Sequence, residues 1–183
     1  MSSLKNIQVV TSNKDKLAEI NNILGTNFKI SKLDIDEVQS LDLTEVVTKK
    51  AKAAFAKLNK PVLVEDISLE IKALNGLPGT LVKFFLNSLG TEGTVKLIGT
   101  QNTKTKVTNA TAIYDGKQLV IFKGSIVGTL SKKNMGENGF GFDKVFIPNG
   151  YKITYAQMDA SLKNKISHRS KALKKVKKYL EKN

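Results

Sequence analysis

Pro61-Val62-Leu63-Val64-Glu65-Asp66-Ile67-Ser68-Leu69-Glu70-Ile71 is the stretch on which the fold turns. Proline ends the helix before it, Val62-Leu63-Val64 reads as a buried strand running directly into two acids, and Ile67, Leu69 and Ile71 alternate beyond them like a further strand. Working back from Pro61, a helix begins at Asp42, with Glu45 at capping-box spacing, and its apolar stripe is Leu43, Val46, Val47, Ala54, Phe55 and Leu58. Earlier still, Ile7 to Val10 is a short strand and Thr11-Ser12-Asn13 a polar turn. Leu17, Ile20, Ile23 and Leu24 then form a helical pattern that Gly25 is placed to close. Working forward, Asn75-Gly76-Leu77-Pro78-Gly79 is a turn, and Val107 to Tyr114 and Gln118 to Phe122 flank Asp115-Gly116-Lys117 as a hairpin, with Ser125 to Thr129 continuing it. A last helix, from about Ser167, buries Ala172, Leu173, Val176, Tyr179 and Leu180. This order predicts an α/β domain with a mixed sheet flanked by helices. No repeat, low-complexity block or linker divides the chain, so residues 1–183 are expected to form one domain.

Composition bounds the chemistry. Hydrophobic residues make up 40% of the 183 and charged residues 25%, a balance that can bury a core. Cysteine is absent, which excludes disulfides, thiolate metal sites and a cysteine nucleophile. Met1 to Asn6 lacks the apolar stretch of a signal peptide and no apolar run approaches a membrane span, so a cytoplasmic protein is expected. The formal net charge of +14 attracts polyanions, from nucleic acid to small phosphorylated ligands. Arg169 is the one arginine among the 30 bases and directly follows His168, the one histidine. Its rigid fork is what lysine cannot imitate.

Four stations could carry chemistry. Thr11-Ser12-Asn13 with Lys16 stands at a strand-to-helix junction, where free N–H groups bind phosphate and Ser12 or Asn13 can cap. Lys16 opposes the helix dipole there, which makes sense if an anion sits nearby. Glu65-Asp66 falls at the carboxyl edge of a strand, offering hard oxygens of the kind Mg²⁺ takes, and Glu37 could add another. Phe140 and Phe142, in Asn138-Gly139-Phe140-Gly141-Phe142-Asp143, could stack on a base or serve the core. The string mimics an RNA-recognition signature but fails it, with Asn138, Asp143 and Val145 at the positions that need a base, a valine and an aromatic. Finally, with Ser167 as N-cap, His168 and Arg169 enter the last helix, where an electron-rich partner should face them.

Taken in order, these motifs resemble the inosine triphosphate pyrophosphatase family. Thr11-Ser12-Asn13 with Lys16 is similar to its T-x-N-x-x-K opening, and Val64-Glu65-Asp66 with Leu69 to its V-E-D-[TS]-x-L segment. Asn75 to Gly79 with Lys83-Phe84-Phe85 resembles N-G-L-P-G-P-Y-I-K-W-F, and Gly139-Phe140-Gly141-Phe142-Asp143 resembles G-F-G-[WY]-D-P. Thr154-Tyr155-Ala156-Gln157-Met158 and Ser167-His168-Arg169 match T-Y-A-E-M and S-H-R. Ile67, Thr80, Leu81, Phe142 and Lys144 depart from the pattern; Ile67 stands where the family has a hydroxyl residue.

The resemblance implies an elongated α/β fold, two lobes with a cleft between them, a homodimer, and Mg²⁺-dependent cleavage of ITP, dITP or XTP to the monophosphate and pyrophosphate. Thr11, Ser12, Asn13, Lys16, Lys50, Ile67 and Lys83 would line the triphosphate. Glu37 and Asp66 would bind magnesium, with Asp66 also the proton acceptor and Glu65 open as a further ligand. Phe140, Gly141, Phe142, Asp143, Lys163, His168 and Arg169 would form the base pocket. Hypoxanthine and xanthine offer a carbonyl where adenine has an amino group; guanine shares that carbonyl, so a 2-position contact must separate it. No stable nucleic-acid partner and no membrane are expected. Two other readings stand beside this one: a basic RNA-binding protein using the Gly-Phe-Gly-Phe segment, and a pyrophosphatase for other modified nucleotides.

Overall fold

The computed structural model describes residues 7–31 and 33–182; Met1 to Asn6, read above for a signal peptide, lie outside them. In chain order the elements are β1 (Gln8–Val9), α1 (Lys14–Leu24), α2 (Leu43–Leu58), β2 (Val62–Ile71), β3 (Pro78–Gly79), α3 (Val82–Ile98), β4 (Lys104–Tyr114), β5 (Leu119–Leu130), β6 (Phe146–Pro148), α4 (Ala160–Ile166) and α5 (His168–Lys182). They build a mixed sheet of order β1-β2-β4-β5-β6, with β3 paired to β2. Strand β1 runs parallel to β2, and the other neighbours are antiparallel. This is the mixed α/β architecture that the alternation of elements predicts.

The period-2 alternation of β2 sorts its residues onto two faces. Val62 and Val64, with Ala110 and Ala112 of β4, pack under Val47, Ala51 and Ala54 of α2. Leu63, with Ile113, packs under Ile20 and Leu24 of α1 and Leu173, Val176 and Leu180 of α5. Further along the same strands, Leu69, Ile71, Val107 and Leu130 gather Val82 and Ile98 of α3 with Phe142, Phe146, Tyr155 and Met158. Each such buried Val or Leu contributes roughly 1.5–3 kcal/mol. One end of the long strands thus carries two apolar cores on opposite faces, one beneath α2 and one beneath α1 and α5, and the other end carries a third beneath α3. The cleft lies between the two ends.

The sequence pattern divides β2 and β5 where the structure does not. Val62 to Ile71 is one strand, because all ten residues pair with β4 from Val62↔Tyr114 to Ile71↔Thr105. Leu119 to Leu130 is likewise continuous; Gly124 stands opposite Asn109 and marks where α5 crosses the sheet. A Cβ at Gly124 would lie 2.3 Å from the His168 carbonyl oxygen and 2.4 Å from the Ala172 nitrogen, both backbone atoms. Gly124→Ala is therefore expected to lower stability by roughly 1–3 kcal/mol or more, since a backbone clash has no rotamer to relieve it. Thermal melting checks this, and an unchanged melting temperature would show that α5 is free to move.

Asn13 rather than Ser12 caps α1, accepting from the Lys16 amide at 2.9 Å, and Gly25 closes the helix in the left-handed region. Asp42 caps α2 by accepting from the Thr44 amide at 2.8 Å. Glu45 does not reach back to Asp42 as a capping box requires. It accepts from the Ser40 hydroxyl, which itself accepts from the Asp42 amide. No helix is long and apolar enough to cross a membrane among the described residues.

Candidate active site

The cleft has a volume of about 390 Å³, and its walls bring together residues that are far apart in the chain. Thr11, Ser12, Asn13, Lys16, Glu37, Lys50, Asp66 and Ile67 line it with Lys83, Phe140, Gly141, Phe142, Asp143, Lys163, His168 and Arg169. Every site residue singled out in the sequence except Glu65 is in this set.

The same alternation that splits the core splits the two acids. Asp66 follows Val62 and Val64 onto the α2 face, where its Oδ2 accepts from Lys50 Nζ at 3.3 Å and its Oδ1 from the Ile67 amide at 2.8 Å. Lys50 also meets Glu37 Oε1 at 2.8 Å. One ammonium therefore joins a loop carboxylate and a strand carboxylate. Burial alone would raise the Glu37 pKa, but the hydrogen bond and charge of Lys50, with Lys83 and Lys16, hold it below its ordinary value. Burial likewise disfavours charge on Lys50, yet Asp66 and Glu37 overcome it and raise its pKa.

Glu65 follows Leu63 onto the opposite face and is committed there. Arg169 Nε donates to both its oxygens, at 3.1 and 2.9 Å, and Nη2 donates to Oε1 at 2.7 Å. Asn109 Nδ2 adds a bond to Oε2 at 2.9 Å and is itself held by the Thr111 hydroxyl at 2.8 Å. Lys16 Nζ stands 3.6 Å from Oε1, so the cation in the first turn of α1 has an anion of this chain beside it. Glu65 shares no cation with Asp66, and its position does not suit the further metal ligand that the sequence left open.

Glu19, on α1, was not singled out in the sequence. It accepts from Arg169 Nη1 and from Lys163 Nζ at 2.7 Å, and Lys163 also bonds Asp143 Oδ2. The signal available was an acid three residues after Lys16, beside the core residue Ile20. Its partners lie some 150 residues away and could not be read from spacing. The electron-rich groups expected to face Arg169 are thus the protein's own carboxylates. Two of the five N–H groups of the guanidinium remain for a ligand.

Ser167 caps α5 as expected, its Oγ accepting from the Ser170 amide at 3.1 Å. His168 is fully buried beside Arg169 and Lys163, and burial with these charges holds its pKa well below the usual value, so the ring is neutral. Its Nδ1 has no hydrogen-bond partner within the protein. His168 is a cleft-lining residue, and an orphan polar atom on its ring calls for a partner that the protein does not supply.

The two phenylalanines differ. Phe142 belongs to the core, edge-to-face with Phe146 at 6.0 Å and 84°. Phe140 is half-exposed, with Lys163 Nζ 4.8 Å and Arg169 Cζ 5.6 Å from its ring centre. Gly139, at φ +73°, makes room for the Asp143 carboxylate, which accepts from the Phe140 amide at 2.8 Å. Only Phe140 is therefore free to stack on a base.

The buried network has a signature in stability. Burial opposes the Glu65 charge, but Arg169, Lys16 and Asn109 outweigh it and lower its pKa from 4.5 to about 2. A depressed carboxylate stabilises the fold above its unfolded pKa and loses that stabilisation as pH falls through the folded one. About 3 kcal/mol is thus expected to vanish between pH 4.5 and 2. Asp143 is shifted upward by burial despite Lys163 and offsets part of the loss. Urea denaturation across that range should show the wild type weakening, with Glu65→Gln weaker at neutral pH and less pH-dependent. A Glu65→Gln protein as pH-dependent as wild type would contradict the assignment.

The chain is similar to known proteins in both sequence and fold. The sequence profile of the Ham1 family matches residues 7–179. The chain is 43% identical to the inosine triphosphate pyrophosphatase of Schizosaccharomyces pombe over 186 residues, covering 99% of this chain and 98% of that one. It is 35% identical to the dITP/XTP pyrophosphatase of Hyperthermus butylicus over 178 residues, covering 95% and 94%. The fold is similar to the solved structure of a HAM1 protein from Coxiella burnetii, with a TM-score of 0.83, 25% identity and coverage of 97% and 98%.

Proposed function

The chain belongs to the Ham1 family, and from that premise we propose that it hydrolyses non-standard purine nucleoside triphosphates, ITP, dITP and XTP, to the monophosphate and pyrophosphate with Mg²⁺. The observation that carries this reading is the single cleft in which a helix N-terminus with Lys16, the cation-bridged Glu37 and Asp66, and the unpartnered His168 Nδ1 all meet. The first suits phosphates, the second a divalent cation and the third a base.

The donor set fits magnesium. Glu37 and Asp66 already share one cation, the Lys50 ammonium, so one cation can reach both. Among the described residues no group of three or more acids or histidines could hold a metal ion alone. Two carboxylates with substrate phosphates and water completing the shell is the usual magnesium arrangement. Bound there, the metal would neutralise phosphate charge and polarise the phosphoryl group.

The protein's own part is positioning. Backbone N–H groups at the start of α1, with Lys16, Lys50 and Lys83, hold the triphosphate. Asp66, its Oδ1 fixed by the Ile67 amide, presents Oδ2 to a water and takes its proton. The water oxygen bonds to the α-phosphorus, the bond from that phosphorus to the bridging oxygen breaks, and pyrophosphate leaves. At the other end Phe140 stacks on the base, and the remaining donors of Arg169, Lys163 and neutral His168 face a 6-carbonyl. An amino group there leaves buried donors unpaired, a mismatch that can cost ~10⁴-fold.

Hydrolysis of ITP in ¹⁸O-labelled water tests the bond cleaved. Label in the monophosphate with pyrophosphate as co-product is the expected result; label in orthophosphate would overturn the reading. A homodimer completes the proposal on the strength of the family resemblance.

A further inference from the structure

We propose that the Lys50 ammonium is the resident counter-ion of the Glu37–Asp66 pair. It holds the cation position until a triphosphate draws it away, so that the metal enters with the nucleotide and not before it. The inference rests on the magnesium–triphosphate reading of the cleft and goes beyond it, by making a residue of this chain the device that couples the two ligands.

The geometry is direct. Lys50 reaches from α2, whose neighbouring Val47, Ala51 and Ala54 are fully buried, and its Nζ lies 2.8 Å from Glu37 Oε1 and 3.3 Å from Asp66 Oδ2. Its side chain is 15% exposed and that of Asp66 20%, so solvent screens this pair only partly, whereas Glu37, at 40%, lies open to the cleft mouth's solvent. The oxygens that would bind a metal are thus already neutralised by one internal cation. A metal ion arriving alone must displace that ammonium, leave it half-buried without an anion, and shed tightly held water.

A triphosphate changes the balance. Its oxygens offer the ammonium a new anionic partner within the reach of a flexible four-carbon stem. The carboxylates are then released to the metal as the lysine moves onto phosphate. Each charge keeps an opposite partner throughout the exchange, which is what makes the joint entry favourable and either separate step costly. Lys83 differs: it is exposed and influences Glu37 through its charge, with no ion pair to either carboxylate. It should not act as the gatekeeper.

Mn²⁺ serves as the probe because it accepts the same hard oxygen ligands as magnesium. Without nucleotide its binding is read from loss of the free-ion electron paramagnetic resonance signal, and with the analogue, which itself chelates Mn²⁺, from the enhancement of water-proton relaxation over a protein-free Mn²⁺–analogue control. Titrations of wild type, Lys50→Gln, Lys50→Arg and Lys83→Gln are made without nucleotide and with the α,β-methylene analogue of ITP. Without nucleotide, Lys50→Gln is expected to bind Mn²⁺ about tenfold or more tightly than wild type, because a charge in direct contact has been removed. Lys50→Arg, which keeps the cation, should stay weak, and Lys83→Gln should move much less than Lys50→Gln. With the analogue, wild type should bind tightly.

Equal nucleotide-free affinity in Lys50→Gln and wild type would overturn the proposal, as would an equal gain in Lys83→Gln, which would show only a general field effect. If wild type binds Mn²⁺ with the analogue but Lys50→Gln shows no gain without it, the counter-ion role fails and the metal reading stands. If the analogue brings no Mn²⁺ into wild type, both fail.

Discussion

Asp66→Asn is expected to lower the rate of pyrophosphate release by about 10²–10⁴-fold, the range lost with a positioned general base. The substitution is well isolated. Asparagine keeps an oxygen to accept from the Ile67 amide, which now holds Oδ1 at 2.8 Å, so the side chain should stay in place. What it loses is the negative charge at Oδ2, the atom that meets Lys50 and that would both take the proton and help hold the metal, so the rate is measured at saturating Mg²⁺. Glu37 remains with Lys50, and the core residues of β2 on either side are untouched, so thermal stability should change little. Steady-state kinetics with ITP, alongside a melting curve, separates chemistry from folding. Near-wild-type turnover in a stably folded variant would remove Asp66 from the mechanism.

Arg169 should give the largest effect on stability. Removing it, as in Arg169→Met, leaves Glu65 buried with Asn109 and Lys16 as its remaining partners and strips Glu19 of one of its two cations. Breaking a buried pair in this way costs about 3–5 kcal/mol, which in a chain of this size lowers the melting temperature by roughly 10 °C. Arg169→Lys keeps the charge but not the fork, and one ammonium cannot reproduce three bonds to Glu65 while also reaching Glu19. That variant should fold, lose part of the stability, and show a smaller ratio of kcat/KM for ITP over ATP, by about tenfold or more. An unchanged ratio with lowered stability would make Arg169 purely structural.

What could be read in the sequence follows the reach of each signal. Local chemistry was legible: Gly25 closing α1, Asp42 opening α2, Ser167 capping α5, and the hairpin turn at Asp115, whose Oδ1 accepts from the Lys117 and Gln118 amides at 2.8 and 2.7 Å. Helix α3 was not legible. Gly90 breaks its helical geometry at φ 66° and ψ −178°, and Asn87, Ser88, Thr91 and Glu92 flank it, so no clean amphipathic stripe marks its length. Phe84 and Leu97 are each 53% exposed. Helix α4, which ends just before Ser167, was also hidden, since Lys163 and Lys165 read as a charged approach to the last helix.

The site divides in the same manner. Membership of the cleft was legible because each motif carries its own residue types. The partnerships were not. That Glu65 and Asp66, adjacent in the chain, serve different cations follows from which face each takes on β2, and that depends on β2 being sandwiched between α2 on one side and α1 with α5 on the other. Glu19 lay beyond reach because its value comes wholly from Lys163 and Arg169. The total charge of +14 also sharpens: Lys171, Lys174, Lys175, Lys177 and Lys178 are exposed on α5, away from the cleft, whereas Lys16, Lys50, Lys163 and Arg169 are held by its carboxylates.

The most direct test of the central claim is pyrophosphate release measured on ITP, dITP, XTP, GTP, ATP and UTP, with and without Mg²⁺. The account predicts magnesium-dependent release from ITP, dITP and XTP that far exceeds release from GTP, ATP and UTP. Equal rates on all six, a preference for UTP or ATP, or release that is indifferent to Mg²⁺ would contradict it.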